Sequence, residues 1–156
     1  MIDNSRPSAI LQYVVRNGEY MKKILIILTL AISLALTSCA GGSKSPSTEL
    51  NVTLTDFQFT PNQFTVPAGQ EIALNVANTG AVIHNFVIMK LGQSAGTEFD
   101  DSDTPNVYWQ VELAPGGSTE TSFVAPSDPG DYEVVCRTPG HLQAGMIAKL
   151  TVVENK

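Results

Sequence analysis

From Leu50 onward, apolar and polar side chains alternate in short runs separated by turn residues. Residues 50–54 read Leu-Asn-Val-Thr-Leu, and runs of the same kind cover 57–59, 64–66, 72–76, 86–88, 107–111, 119–124, 132–135 and 147–153. A period of two is what a half-buried strand produces, because successive side chains point to opposite faces of a sheet. Pro67-Ala68-Gly69, Asn78-Thr79-Gly80, Ala114-Pro115-Gly116-Gly117 and Pro126-Ser127-Asp128-Pro129-Gly130 supply turns between the runs. Short strands at such spacing predict an all-β antiparallel sandwich. Residues 91–105 carry no clear period and are expected to hold a long loop or a short helix. There is no internal repeat.

The pattern is different before Leu50. Lys22 and Lys23 follow Met21, and residues 24–36 are apolar except for Thr29 and Ser33. A charged start, a short apolar run and a small-residue stop form a signal peptide, too short for a transmembrane helix of about 20 residues. The stop, Leu36-Thr37-Ser38-Cys39, resembles a bacterial lipobox, which implies that Cys39 becomes the lipidated first residue of an exported protein held on the outer face of a bacterial membrane, periplasmic or at the cell surface. Residues 1–20 read as upstream codons from a mis-called start, or as an unusual extension. Residues 40–49, small and polar with Gly, Ser and Pro, read as a flexible linker, leaving 50–156 for one domain.

After removal of residues 1–38, five basic and thirteen acidic residues remain. Nucleic acid is therefore excluded as a partner, since phosphate binding needs a basic patch. An exported domain of this size commonly pairs its cysteines. Here Cys39 is taken by the lipid, and Cys136 has no second cysteine to join. It is either a buried structural thiol or a metal ligand.

The segment Cys136-Arg-Thr-Pro-Gly-His141-Leu-Gln-Ala-Gly-Met146 places a thiol, an imidazole and a thioether at five-residue steps between two strand runs. Two histidines and a cysteine with a long, weak axial methionine suit copper that alternates between two oxidation states. The second histidine has to be His84, because the chain contains two histidines in all. Taken alone, His84 could be a satisfied core histidine and Met146 simple packing, but their occurrence with Cys136 and His141 in one arrangement favours the metal. Pro139-Gly140 gives a tight turn before His141, and Gly145 permits an unusual backbone angle before Met146.

Cys136 to Met146 together with His84-Asn85 resembles the cupredoxins, and most of all their auracyanin branch, over residues 50–153. The resemblance implies a Greek-key β-sandwich of about eight strands, one copper ion near one end, and ligands His84, Cys136, His141 and Met146. It also implies that Asn85 braces the ligand loop and orients Cys136, and that His141 is the partly exposed ligand through which electrons leave. Two departures stand out. Arg137 follows the cysteine where a small hydroxyl residue is frequent, and Ile83, not Gly, precedes the first histidine, which disfavours an extra axial carbonyl.

The expected function is single-electron transfer, not catalysis, between redox proteins such as a cytochrome or a membrane complex, with the protein a monomer. Copper storage or delivery is the competing reading. It usually uses several exposed Met or His, whereas residues 39–156 hold only Met89 and Met146 as methionines. Too few histidines and cysteines are present for a multicopper oxidase or a binuclear centre, and no nucleophile or phosphate-binding motif occurs. Leu142, Gln143 and Ala144, flanking His141, are expected to form an uncharged docking face. Glu98, Asp100, Asp101 and Asp103 form an acidic cluster, read either as a solvated loop or as a means of steering a basic partner.

Overall fold

The computed structural model describes residues 45–155. The expected signal peptide, the expected lipidation site Cys39, the N-terminal 20 residues and the first part of the expected linker lie outside the described residues. The end of the expected linker is ordered: Ser47 N–H donates to Thr65 O at 2.9 Å, and the first strand begins at Glu49.

Nine strands make up the fold among the described residues: β1 (Glu49–Thr55), β2 (Gln58–Thr60), β3 (Gln63–Pro67), β4 (Glu71–Asn78), β5 (His84–Met89), β6 (Val107–Leu113), β7 (Ser118–Val124), β8 (Gly130–Val135) and β9 (Ile147–Val153). One sheet has the order β2-β1-β4-β7 and the other β3-β9-β8-β5-β6. Each of the alternating runs in the sequence lies in or against one of these strands. The count exceeds the expected eight because the three-residue β2 pairs with β1 through Thr55 and Gln58. The sheets are mixed, not purely antiparallel, since β1 runs parallel to β4 and β3 parallel to β9.

Alternation does its work in β1 and β4, whose buried positions are Leu50, Val52, Leu54 and Ile72, Leu74, Val76. These meet Phe64, Val66, Phe86, Val134, Leu150 and Val152 of the facing sheet in one core. Each large apolar side chain so enclosed contributes about 1.5–3 kcal/mol.

Strand β5 breaks the pattern. All six of its residues are buried, and the period-two reading of 86–88 fails there because both faces are covered. Phe86 and Ile88 enter the main core, while Val87 and Met89 pack with Ala95, Val135 and Leu142 in a second cluster that Phe99 and Val107 join. The aperiodic residues 91–105 thus return over the outer face of the sheet. They carry no α-helix, only a 3-10 turn at Thr104–Asn106. The strand that begins with His84 is therefore held from both sides.

Candidate metal centre

Three chain segments bring the donors together. His84 opens β5, Cys136 directly follows β8, and Met146 directly precedes β9. Because β5 and β8 are antiparallel neighbours, with Val87 opposite Val135, the start of one lies beside the end of the other. The loop between β8 and β9 must then close at the same edge.

That loop is tied to itself. Cys136 N–H donates to Met146 O at 3.3 Å, Met146 N–H to His141 O at 2.9 Å, and His141 N–H to Thr138 O at 3.0 Å. Gly140 and Gly145 stand at φ 84° and 91°, in the left-handed region that glycine enters without strain. His141 is thereby turned back over Cys136.

The β4–β5 connection is pinned by the buried Asn78. Its Nδ2 donates to Val82 O at 2.8 Å and to Leu113 O at 3.0 Å, while its Oδ1 accepts Gly80 N–H at 2.9 Å. The sequence marks Asn78 only as a turn residue. Its side chain in fact fixes the approach to His84.

In the assembled site, Cys136 Sγ lies 3.8 Å from His84 Nδ1 and 3.7 Å from His141 Nδ1. His84 and Cys136 are fully enclosed and His141 is 6% exposed. Bonds of about 2.0 Å to nitrogen and 2.3 Å to sulfur, the lengths these donors make to zinc, leave N and S about 3.7 Å apart when they subtend a trigonal angle of about 120°. The three donors therefore fit a single ion lying between them. Met146 is fully buried in the same core cluster as Cys136. Soft sulfur ligands with two imidazoles match copper better than a hard, oxygen-seeking cation.

Burial holds the His141 imidazole below its ordinary pKa, and the neighbouring His84 lowers it further against an opposing pull from Asp56. A ring kept neutral retains a nitrogen lone pair for a metal.

Around the donors lie hydrogen bonds that the sequence only partly disclosed. Asn85 N–H points at Cys136 Sγ, 3.5 Å away. The Asn85 amide does not grip the ligand loop through its own donor: Nδ2 donates to Glu112 Oε2 at 2.8 Å, while Oδ1 lies 3.3 Å from Thr138 Oγ1. Thr138 Oγ1 donates to Ile83 O at 2.7 Å, tying the loop to the residue before His84. The Arg137 guanidinium is turned outward onto the same Glu112 oxygen at 3.2 Å, so its charge is paired there.

Two further contacts come from the β1–β2 turn, Asp56-Phe57, which sequence reading did not connect with the site. Asp56 Oδ1 is 3.1 Å from His84 Nε2. The Phe57 ring meets the His141 ring edge-on, with centroids 5.0 Å apart. The alternation in the sequence places Phe57 at the start of a strand. It stands instead at φ 67° in the turn and is 51% exposed. No sequence period distinguishes a turn aromatic from a strand aromatic in so short a run.

The expected surfaces are redrawn in part. Leu142 is buried in the second core cluster, so it is not part of an exposed face; it caps Val87 and Val135. Gln143 and Ala144 are exposed. Of the acidic cluster, Glu98, Asp100 and Asp101 are exposed, but Asp103 is buried and its Oδ2 accepts Asp100 N–H at 2.9 Å. Asp103 closes its own loop. His141 is also less exposed than the resemblance implied, because Phe57 lies against it.

A sequence profile of the cupredoxin-like domain matches residues 26–152. The chain is 30% identical to auracyanin-A of Chloroflexus aurantiacus, the match covering 76% of this chain and 88% of that protein. It is 26% identical to the copper-resistant cuproprotein CopI of Rubrivivax gelatinosus, over 72% of this chain and 70% of the relative. Among solved structures, dithionite-reduced auracyanin from the photosynthetic bacterium Roseiflexus castenholzii superposes with a TM-score of 0.61 at 31% identity, covering 70% of this chain and 99% of that one. Sheet order, donor placement and sequence together make this chain a member of the cupredoxin-like family.

Proposed function

We propose that the chain is a mononuclear type 1 copper electron carrier in which His84 Nδ1, His141 Nδ1 and Cys136 Sγ are the equatorial donors and Met146 is the weak axial one. The observation that carries this reading is the convergence of the two Nδ1 atoms on one buried sulfur. Copper bound there would supply a one-electron couple, Cu(I)/Cu(II), and an intense sulfur-to-metal absorption.

The protein's part is to hold the donors still. His84 sits on a strand buried on both faces, and across the loop Cys136 N–H donates to Met146 O while Met146 N–H donates to His141 O. Ligands so fastened cannot relax far between oxidation states, which keeps the reorganisation accompanying electron transfer small. Core packing also excludes water from Cys136 and His84, both fully enclosed, so the thiolate is shielded from oxidants.

Electrons would pass at the His141 end. Phe57, Val82 and Ile83 are exposed at 51%, 43% and 47%, and with Gln143 and Ala144 they would offer a mainly apolar face, with the 44% exposed Asp56 side chain beside Phe57, to a redox protein such as a cytochrome or a membrane complex. Glu98, Asp100 and Asp101 would steer a basic partner toward the molecule. With the lipobox reading of Cys39, the carrier would be a monomer tethered outside a bacterial membrane.

Copper storage or delivery is the reading to be separated from this one, and the cuproprotein relative keeps it in view. Both Met89 and Met146 are fully buried, whereas handing Cu(I) between proteins calls for accessible soft ligands. The discriminating experiment is repeated reduction and reoxidation beside a competing chelator. A carrier keeps its copper through the cycles, and a delivery protein surrenders it in one state.

A further inference from the structure

The Asp56 carboxylate stands directly behind one of the two imidazoles. His84 presents Nδ1 to Cys136, and its other nitrogen, Nε2, faces Asp56 Oδ1 at 3.1 Å. An ionised carboxylate only accepts hydrogen bonds. The ring hydrogen must then sit on Nε2, which leaves the Nδ1 lone pair free.

The local chain is shaped around this pair. Asp56 Oδ1 also accepts Ala81 N–H at 3.1 Å, so one oxygen fastens both the ring and the loop that leads to it. A Cβ at position 80 would run into His84 Nε2 and Asp56 Oδ1, and the residue there is Gly80. The turn that delivers the carboxylate places Phe57 at φ 67°, a conformation that is strained for a bulky residue and maintained only where the surroundings demand it. The same turn touches both histidines.

We propose that Asp56 is a positioning residue of the copper site: it locks the His84 ring with Nδ1 toward the metal, and its negative charge favours Cu(II) over Cu(I). Carboxylates that accept from a metal-bound histidine fix its tautomer and raise its basicity, and losing them commonly costs 10- to 100-fold in metal affinity. This inference rests on the copper reading given above and adds to it a determinant of the reduction potential.

The test compares the purified protein with Asp56→Asn and Gly80→Ala after loading with Cu(II). Asparagine keeps an oxygen able to accept both hydrogen bonds and removes only the charge. Asp56→Asn should therefore retain the visible band while the ratio of Cu(II) to Cu(I) affinity falls about tenfold, a rise of about 59 mV for a one-electron couple. Gly80→Ala keeps the charge but drives a methyl group between the partners, and should weaken Cu(II) binding by at least about tenfold. In the metal-free protein, the nitrogen chemical shifts of His84 should report the hydrogen on Nε2, and Asp56→Ala should lose that preference.

An unchanged potential in Asp56→Asn, or a colourless Asp56→Asn beside a blue parent, would overturn the role of Asp56. So would unaltered copper affinity in Gly80→Ala, or a His84 hydrogen found on Nδ1. A parent protein that takes up no copper would instead strike at the metal reading itself.

Discussion

The sulfur of Cys136 lies 3.5 Å from the backbone nitrogen of Asn85, the residue after His84, although 51 positions separate them in the chain. The sulfur is thus fastened to the strand that carries the first histidine, and neither donor moves without the other. Met146 takes no part in this link, and its chemistry can be changed separately. Met146→Gln should keep the intense absorption but lower the reduction potential by more than about 59 mV, a tenfold step in the affinity ratio, because an oxygen donor favours Cu(II). Redox titration followed at the visible band measures it; an unchanged or raised potential would exclude Met146 as the axial ligand.

Asn78 tests whether the loop before His84 is held by buried polar contacts. Asn78→Ala leaves the carbonyls of Val82 and Leu113 and the N–H of Gly80 without their partner. A loss of about 2–3 kcal/mol is expected from stranding buried polar groups. Urea unfolding of the metal-free protein gives the value directly. A loss below about 0.5 kcal/mol would mean that water replaces the side chain and that the loop is fixed by other contacts.

Glu112 gives a prediction with a defined pH sense. Its carboxyl is held below the ordinary value of 4.5, first by the hydrogen bond from Asn85 and then by that from Arg137. A carboxylate with a depressed folded-state pKa stabilises the fold above its unfolded value, and that contribution vanishes as pH falls through the lower folded value. The parent should therefore be slightly more stable than Glu112→Gln at pH 6 to 7, by less than about 1 kcal/mol since the group is exposed. The two should converge once the pH is well below 4.5. A gap that widens in acid would contradict the assignment.

Most of the sandwich was legible because one-sided burial writes a period of two into the sequence, as in Leu50-Val52-Leu54 and Ile72-Leu74-Val76. Strand β5 was located but misread, since a strand covered on both faces has no period to show. What covers it, residues 91–105, left no periodic trace, and Leu142 gave no sign that it would turn inward to the same cluster. The four proposed donors were legible because thiol, imidazole and thioether are rare, and three of them stand in one short loop. Asp56, Phe57 and Asn78 were not, because each acts through contacts made by topology: Asp56 lies 28 residues from His84, and Asn78 lies 35 from Leu113. An aspartate in a hairpin turn looks the same in sequence whether or not a histidine is behind it.

One ion is proposed to lie among Cys136, His84 and His141. The most direct measurement is the visible spectrum of the purified protein after one equivalent of Cu(II), repeated after ascorbate, with Cys136→Ser alongside. The parent should turn intensely blue, bleach on reduction and recover its colour in air, and the serine variant should stay colourless. A colourless parent, or a variant that keeps the band, would contradict the account.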